Sequence, residues 1–263
     1  MTDVASGGLN HTTPARGMLK AVTFDLWQTL ILDTPEGVLQ ARAERVRGIH
    51  EILARQGLVV NARVVEQAYD KVGDRLETVW ANQRDVGSRG QVRLLLECLG
   101  LDGAVPSDGR LMDDLDQAYC LPILSALPVP NTGALEVLQV LASHGLVLGL
   151  VCNTGRTPGK MLRLVLERLG LAPHLSALTF SDEVGLRKPH SGIFDRTLRA
   201  LSVMPAETAH VGDTLATDVA GARDVGMRAI HLCHSTGASQ ASDGVETIPS
   251  LLALPALLTP AKD

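Results

Sequence analysis

From residue 134 onward, short apolar runs alternate with stretches that repeat apolar residues at helical spacing. That alternation constrains the fold more than any other feature of the chain. Helices are expected over 134–143, 161–169, 193–201 and 216–225, and strands over 146–151, 178–180, 208–212 and 228–232. A helical end over 251–258 is interrupted by Pro255. Strands separated by helices of this length pair in parallel through right-handed crossovers. Runs without polar alternation belong to strands covered on both faces. The run over 19–25, LKAVTFD, has the same character and is expected to join the same sheet. The fold class that follows is α/β: a three-layer, Rossmann-like core around a parallel sheet.

Between that first strand and the rest, the pattern is helical throughout. Val46, Ile49 and Leu53 share one stripe, and Val64, Val65, Ala68, Val72 and Leu76 another. Further helical patches cover 92–99 and 111–119, and Gly57, Asn61 and Gly87 punctuate the block. The expected organisation is a flexible tail over 1–17, a core domain made of 18–32 and 128–263, and an all-helical domain over 33–127.

Composition narrows the function. The 263 residues are 45% hydrophobic and 20% charged, the balance of a folded chain. A net charge of −5 gives no general attraction to nucleic acid or an anionic membrane. Cys98, Cys120, Cys152 and Cys233 form no C-x-x-C pair, so neither a zinc site nor a disulfide framework is indicated. The first seventeen residues lack the apolar run of a signal peptide. The expectation is a cytoplasmic protein, monomer or homodimer, whose partner is a small anionic substrate.

Open parallel sheets bind ligands beyond the carboxyl ends of their strands. The expected strand ends here read Asp25-Leu26-Trp27-Gln28-Thr29, then Cys152-Asn153-Thr154, then a segment carrying Lys188, then Gly212-Asp213-Thr214 with Asp218 five residues after Asp213. Carboxylates, small polar groups and a lysine on one rim suit an anion bound together with a divalent cation.

These four segments, in this order, resemble the haloacid dehalogenase (HAD) superfamily, and the helical block resembles its cap inserted after the first motif. The resemblance implies that Asp25 is a nucleophile forming a covalent aspartyl intermediate. It implies Mg²⁺ held by Asp25, the backbone carbonyl of Trp27 and Asp213, with Asp218 supporting them from behind. Lys188 would neutralise the nucleophile and the transferring group. Trp27, Thr29, Cys152, Asn153 and Thr154 would contact substrate, Cys152 standing where the family usually has Ser or Thr. The implied activity is Mg²⁺-dependent phosphohydrolysis.

One departure bears on the reaction. Phosphatases of this family carry a second aspartate two residues after the nucleophile, as acid for the leaving alcohol, and Trp27 occupies that position here. Indole donates one hydrogen bond and has no useful acid pKa. An aromatic residue there resembles the 2-haloacid dehalogenases, the alternative reading. Retention of Asp213 argues the other way, because a third carboxylate is best accommodated by a cation. A third reading is a weakly active binding protein.

Several residues also have purely structural readings. Trp27 is expected to pack against the cap. Arg42, on the stripe of Val46, Ile49 and Leu53, is expected to point inward and reach a substrate anion, or else pair with a cap acid. Arg45 and Arg47 are expected in solvent, His190 in a loop, and His210 in the sheet.

Overall fold

The computed structural model describes residues 18–104, 109–233 and 245–259, so the expected tail over 1–17 lies outside the described residues. The chain runs β1 (Ala21–Phe24), β2 (Ile31–Leu32), α1 (Pro35–Arg55), α2 (Ala62–Ala81), α3 (Ser88–Cys98), α4 (Arg110–Cys120), β3 (Val129–Pro130), α5 (Ala134–Ser143), β4 (Val147–Cys152) and α6 (Gly159–Arg168). It continues through β5 (Ala177–Phe180), α7 (Ser181–Val184), α8 (Ser191–Leu201), β6 (Thr208–Gly212), α9 (Ala220–Asp224), β7 (Arg228–Leu232), β8 (Glu246–Ile248) and α10 (Leu254–Leu258).

Six strands pair in parallel in the order β5-β4-β1-β6-β7-β8. β1 lies between β4 and β6, with Phe24 in register with Leu150 on one side and Val211 on the other. The chain leaves β1 first to one side and later returns to the other, which places the switch in direction beside the end of β1. Strand parity then sorts the side chains into two layers. Val22, Phe24, Leu148, Leu150 and Cys152 pack with the apolar faces of α5 and α6, while Val151 and Ala229 pack with α8 and α9.

The helical insert has its own apolar cluster, drawn from α1 to α4 and including Ile49, Leu53, Val72, Leu76, Leu95, Leu115 and Tyr119. Its first helix begins where Thr34 Oγ1 accepts from the Gly37 N–H at 3.0 Å and Pro35 fills the first turn. Asn61 Oδ1 does the same for α2 through Arg63 N–H at 2.9 Å. Entry to the insert and exit from it are laid side by side, because Ile31 pairs with Pro130 and Leu32 with Val129 in a short antiparallel ribbon.

Three local differences from expectation have simple causes. β8 is only three residues long, too short for its pattern to register. The expected helix over 216–225 begins as a π-helical turn over Leu215–Val219 before α9, which lets Asp218 turn back towards β6. Pro255 lies in the first turn of α10, where its missing N–H costs nothing, so it starts that helix instead of interrupting it.

Candidate functional site

Asp25 directly follows β1, and its N–H extends the ladder to Val211 O at 2.9 Å. The chain then turns sharply: Gln28 N–H donates to Ile31 O at 2.8 Å, with Gln28 in the left-handed region at φ +59°. Across from it, β6 ends in Gly212-Asp213. A Cβ on Gly212 would stand 2.3 Å from Asp218 Cγ, so only glycine lets that carboxylate lie against the strand end. Asp218 is fixed there by Thr214 N–H at 3.1 Å and by His210 Nε2 at 3.2 Å.

Lys188, 3% exposed, lies between the carboxylates. Its Nζ is 2.5 Å from Asp25 Oδ1, 2.6 Å from Asp218 Oδ1 and 2.7 Å from Val151 O. Asn153 grips its backbone from both sides, accepting from Lys188 N–H at 2.8 Å and donating to Lys188 O at 3.1 Å. Asp25, Asp213 and Asp218 each offer an oxygen within 4.8 Å of the other two.

The electrostatics follow from this crowding. Burial raises the Asp25 carboxyl to about 7 despite the pull of Lys188. Burial also raises Asp213, with Asp218 adding to the effect. Burial alone would raise Asp218 too, but Lys188 and His210 outweigh it and hold it well below the usual carboxylate range. Lys188 is drawn down by burial and more than restored by Asp218 and Asp25. His210 is lowered by burial and therefore neutral at pH 7. Its Nε2 then donates to Asp218, leaving Nδ1 to accept from the Thr23 hydroxyl at 2.9 Å. Fully ionised, the three carboxylates would carry −2 beyond the one ammonium, which, after burial, is why Asp25 and Asp213 are raised when no cation is bound, and the donors are hard oxygens. That donor set fits a Mg²⁺-type cation.

Two cavities meet here. The smaller, about 240 Å³, is lined by Asp25, Lys188, Asp213 and Asp218 among others, and the larger, about 350 Å³, lies between the sheet's rim and the insert. Trp27 and Asn153 line both. Trp27 packs on the apolar cluster in which the sheet's residues join Cys120 and Ile123 of the insert.

Other expectations need correction. Cys152 is fully buried with Leu148 and Leu150, on the face covered by α5 and α6, and lines neither cavity. Burial pushes its thiol well above the ordinary range. Thr29 is likewise fully buried, its hydroxyl without a partner among the described residues. Thr154 lines the larger cavity, but its Oγ1 is engaged with Asp85 Oδ2 at 3.1 Å. Arg42 reaches the larger cavity's wall while tied to Glu66 at 2.7 Å and Asp70 at 2.8 Å. Arg45, expected in solvent, is 5% exposed. The buried face of α1 runs through Ala41, Arg45, Ile49, Ile52 and Leu53, so it keeps Ile49 and Leu53 of the expected stripe but takes Ala41 and Arg45 in place of Arg42 and Val46. Arg47 is exposed as expected, and His190 caps α8 by accepting from Gly192 N–H at 3.0 Å.

A polar junction that the sequence did not announce joins insert to sheet. Asp85, buried, accepts from Arg187 at 2.7 Å, Ser181 Oγ at 2.5 Å and Trp80 Nε1 at 3.2 Å, with Arg187 stacked 4.4 Å over the Trp80 ring. Nearby, Asp182 Oδ1 accepts from Gly159 N–H at 3.0 Å at the start of α6. Burial raises Asp182 to about 6, with Asp85 and Glu183 adding to it. A carboxyl raised on folding destabilises the native state above that value and not below its unfolded pKa near 3.8. Asp182→Asn, which retains the acceptor, is therefore expected to raise stability to denaturant at pH 7.5. The gain should shrink through pH 6 and vanish by about pH 4.

With this geometry established, similarity to known proteins places the chain. Residues 19–226 match the haloacid dehalogenase-like hydrolase family. The chain is 29% identical over 261 residues to haloacid dehalogenase-like hydrolase domain-containing protein 3 of Mus musculus, covering 94% of this chain and 95% of the mouse protein. It is 30% identical over 227 residues to the phosphoserine phosphatase of Thermus thermophilus, covering 81% and 88% of the two chains. Among solved structures, the 2-haloacid dehalogenase of Pseudomonas syringae pv. Tomato superposes with a TM-score of 0.66 at 26% identity, covering 92% of this chain and 98% of the other. The chain belongs to the haloacid dehalogenase-like hydrolase family and is an enzyme of the hydrolase class. No described helix is long and apolar enough to cross a membrane.

Proposed function

We propose that the protein is a Mg²⁺-dependent phosphohydrolase acting on a small phosphorylated metabolite through an aspartyl-phosphate on Asp25. The observation that carries this reading is Asp213, whose carboxylate joins Asp25 and Asp218 in a cluster that one lysine cannot neutralise once all three are ionised. Asp25, Asp213 and the Trp27 carbonyl would hold Mg²⁺, with Asp218 behind them. The ion would supply positive charge to the transferring phosphoryl group.

In the first step Asp25 Oδ attacks phosphorus, and the P–O ester bond breaks with its electron pair going to the leaving oxygen. In the second, water attacks the same phosphorus, releasing phosphate and restoring the Asp25 carboxylate. Lys188 orients Asp25 and offsets charge through both steps. Burial keeps Asp25 poorly solvated, so the carboxylate is a stronger nucleophile than one in water. The insert acts as a cap that excludes water from the larger cavity.

Trp27 sets the limits of this chemistry, since it cannot protonate a leaving alcohol. Loss of a general acid costs about 10²–10⁴ in rate where protonation is needed. Substrates with stable leaving groups, acyl phosphates above all, should therefore turn over best. Trp27→Asp is expected to raise kcat on alkyl phosphate monoesters by about tenfold or more. An unchanged kcat would show that the leaving-group proton does not limit the reaction.

Dehalogenation is the second reading, favoured by the aromatic residue at 27 and by the Pseudomonas structure. The deciding experiment is a panel of phosphate monoesters, acyl phosphates and 2-haloacids, each with Mg²⁺ and with EDTA. Phosphate release that EDTA abolishes supports the proposal. Halide release in EDTA selects dehalogenation, and no turnover of any compound selects a binding protein.

A further inference from the structure

Four arginines line the larger cavity, and they are not equivalent. Arg42 is neutralised by Glu66 and Asp70, and Arg187 by Asp85. Arg45 and Arg156 have no carboxylate within 4.0 Å among the described residues. Arg45 is 5% exposed, donating from Nε to Tyr119 O and from Nη2 to Thr157 Oγ1, both at 2.9 Å. Its Nη1 has no partner among the described residues. Arg156 donates to Tyr119 Oη at 2.8 Å and Tyr69 O at 3.0 Å, and stacks 4.3 Å over the Tyr69 ring.

Every one of these partners is neutral. The Tyr119 hydroxyl that Arg156 contacts is no counter-charge: it is pushed up to about 12 by burial and donates its proton to Gln91 Oε1 at 2.7 Å. Among the described residues, Asp33, exposed, is the one carboxylate on the cavity wall, and it pairs with neither arginine. The fold also makes room for this arrangement. Gly73, in the middle of α2, would place a Cβ 3.0 Å from Arg156 Nη2, at a position where glycine is a poorer helix former than alanine. A guanidinium taken out of water without a counter-charge is strongly unfavourable. Arg45 is in that position, and Arg156, partly exposed beside it on the same wall, adds a second cation without a carboxylate, so the wall suits an anion from outside the chain.

We infer that Arg45 and Arg156 form a subsite for a second anionic group of the substrate, a carboxylate or a second phosphate remote from the phosphoryl group that reacts. This rests on the phosphohydrolase reading for the first anion. Trp27 and Asn153 line both cavities, so a molecule with its phosphate beside Asp25 and Lys188 extends past Trp27 to the arginines. A cavity of about 350 Å³ suits a small metabolite. The substrate class is therefore a small phosphate ester or acyl phosphate with an anion at its other end.

The test compares propyl phosphate, 3-phosphopropionate and propane-1,3-diyl bisphosphate on the intact enzyme with Mg²⁺. The two-anion esters should exceed propyl phosphate in kcat/KM by at least about tenfold, as charge-assisted pairs imply. Whichever of the two is faster assigns the second anion as carboxylate or phosphate. Arg45→Gln and Arg156→Gln should each reduce that ratio, and Arg45→Lys should reduce it less. A ratio near one in the wild type, or one unmoved in the variants, overturns the subsite while leaving the phosphohydrolase reading standing. Succinate binding by calorimetry separates the two claims when no ester reacts. Binding weakened in either variant upholds the subsite without that reading, and its absence from the wild type removes the subsite. Arg45 stands on α1 of the insert and Arg156 on the loop after β4, so a fold lost in one variant leaves the other to decide.

Discussion

Replacing Asp25 with asparagine is expected to lower kcat by at least about 10³-fold while leaving the unfolding midpoint in EDTA at or above that of the wild type. The first half follows from nucleophilic chemistry, because an amide cannot form the acyl phosphate and loss of a nucleophile removes the whole covalent route. The second half follows from burial. Asp25 is raised to about 7 in the folded chain, well above its ordinary 3.8, so its charged form destabilises the native state at neutral pH. Asparagine removes that charge and can still accept from Lys188 Nζ. Steady-state kinetics and thermal melting on the same preparation check both halves. A variant with wild-type kcat removes Asp25 from the reaction.

Lys188→Met is expected to have the largest effect on stability, about 3–5 kcal/mol at pH 7, together with loss of turnover. Lys188 Nζ lies within 2.6 Å of both Asp25 and Asp218, and all three groups are buried. Breaking a buried pair on one side leaves the other charge uncompensated, which is where figures of this size arise. The pH dependence has a definite sign. Asp218 is held low by Lys188 and His210 in the wild type, so its stabilising contribution is present above its unfolded pKa of 3.8 and is lost as pH falls below it. In the variant Asp218 and Asp25 are both raised and are protonated progressively as pH falls. The difference between the two proteins should therefore narrow from pH 7 towards pH 4, as read by denaturant unfolding. A constant difference would mean that Lys188 acts only by packing.

The site's outline was legible because its carboxylates stand at or just beyond the ends of apolar runs, where strand and loop meet. Asp25 and Asp213 end such runs, Asp218 and Lys188 lie in the segments that follow, and the structure brings all four around one small cavity. What failed depends on side-chain direction. Cys152 ends the right strand, but parity turns it into the core with Leu148 and Leu150. Arg42 and Arg45 lie three residues apart on one helix, both compatible with an apolar stripe until tertiary contacts fix its phase at Ala41, Arg45 and Ile49. Alanine at 41 is too weakly apolar to settle that phase in advance. Arg156 and Asp85 lie in loops, where periodicity carries no information, and only the docking of insert on sheet gives them partners. The two-residue ribbon of β2 and β3 is too short for any pattern to mark it.

Borohydride trapping during turnover tests the covalent mechanism most directly. Reduction of an acyl phosphate converts its carboxyl to an alcohol, so peptide mass spectrometry of wild type quenched with substrate and Mg²⁺ should find homoserine at position 25 and at no other acidic residue. Homoserine at another carboxylate, or none under conditions of rapid phosphate release, would contradict the account.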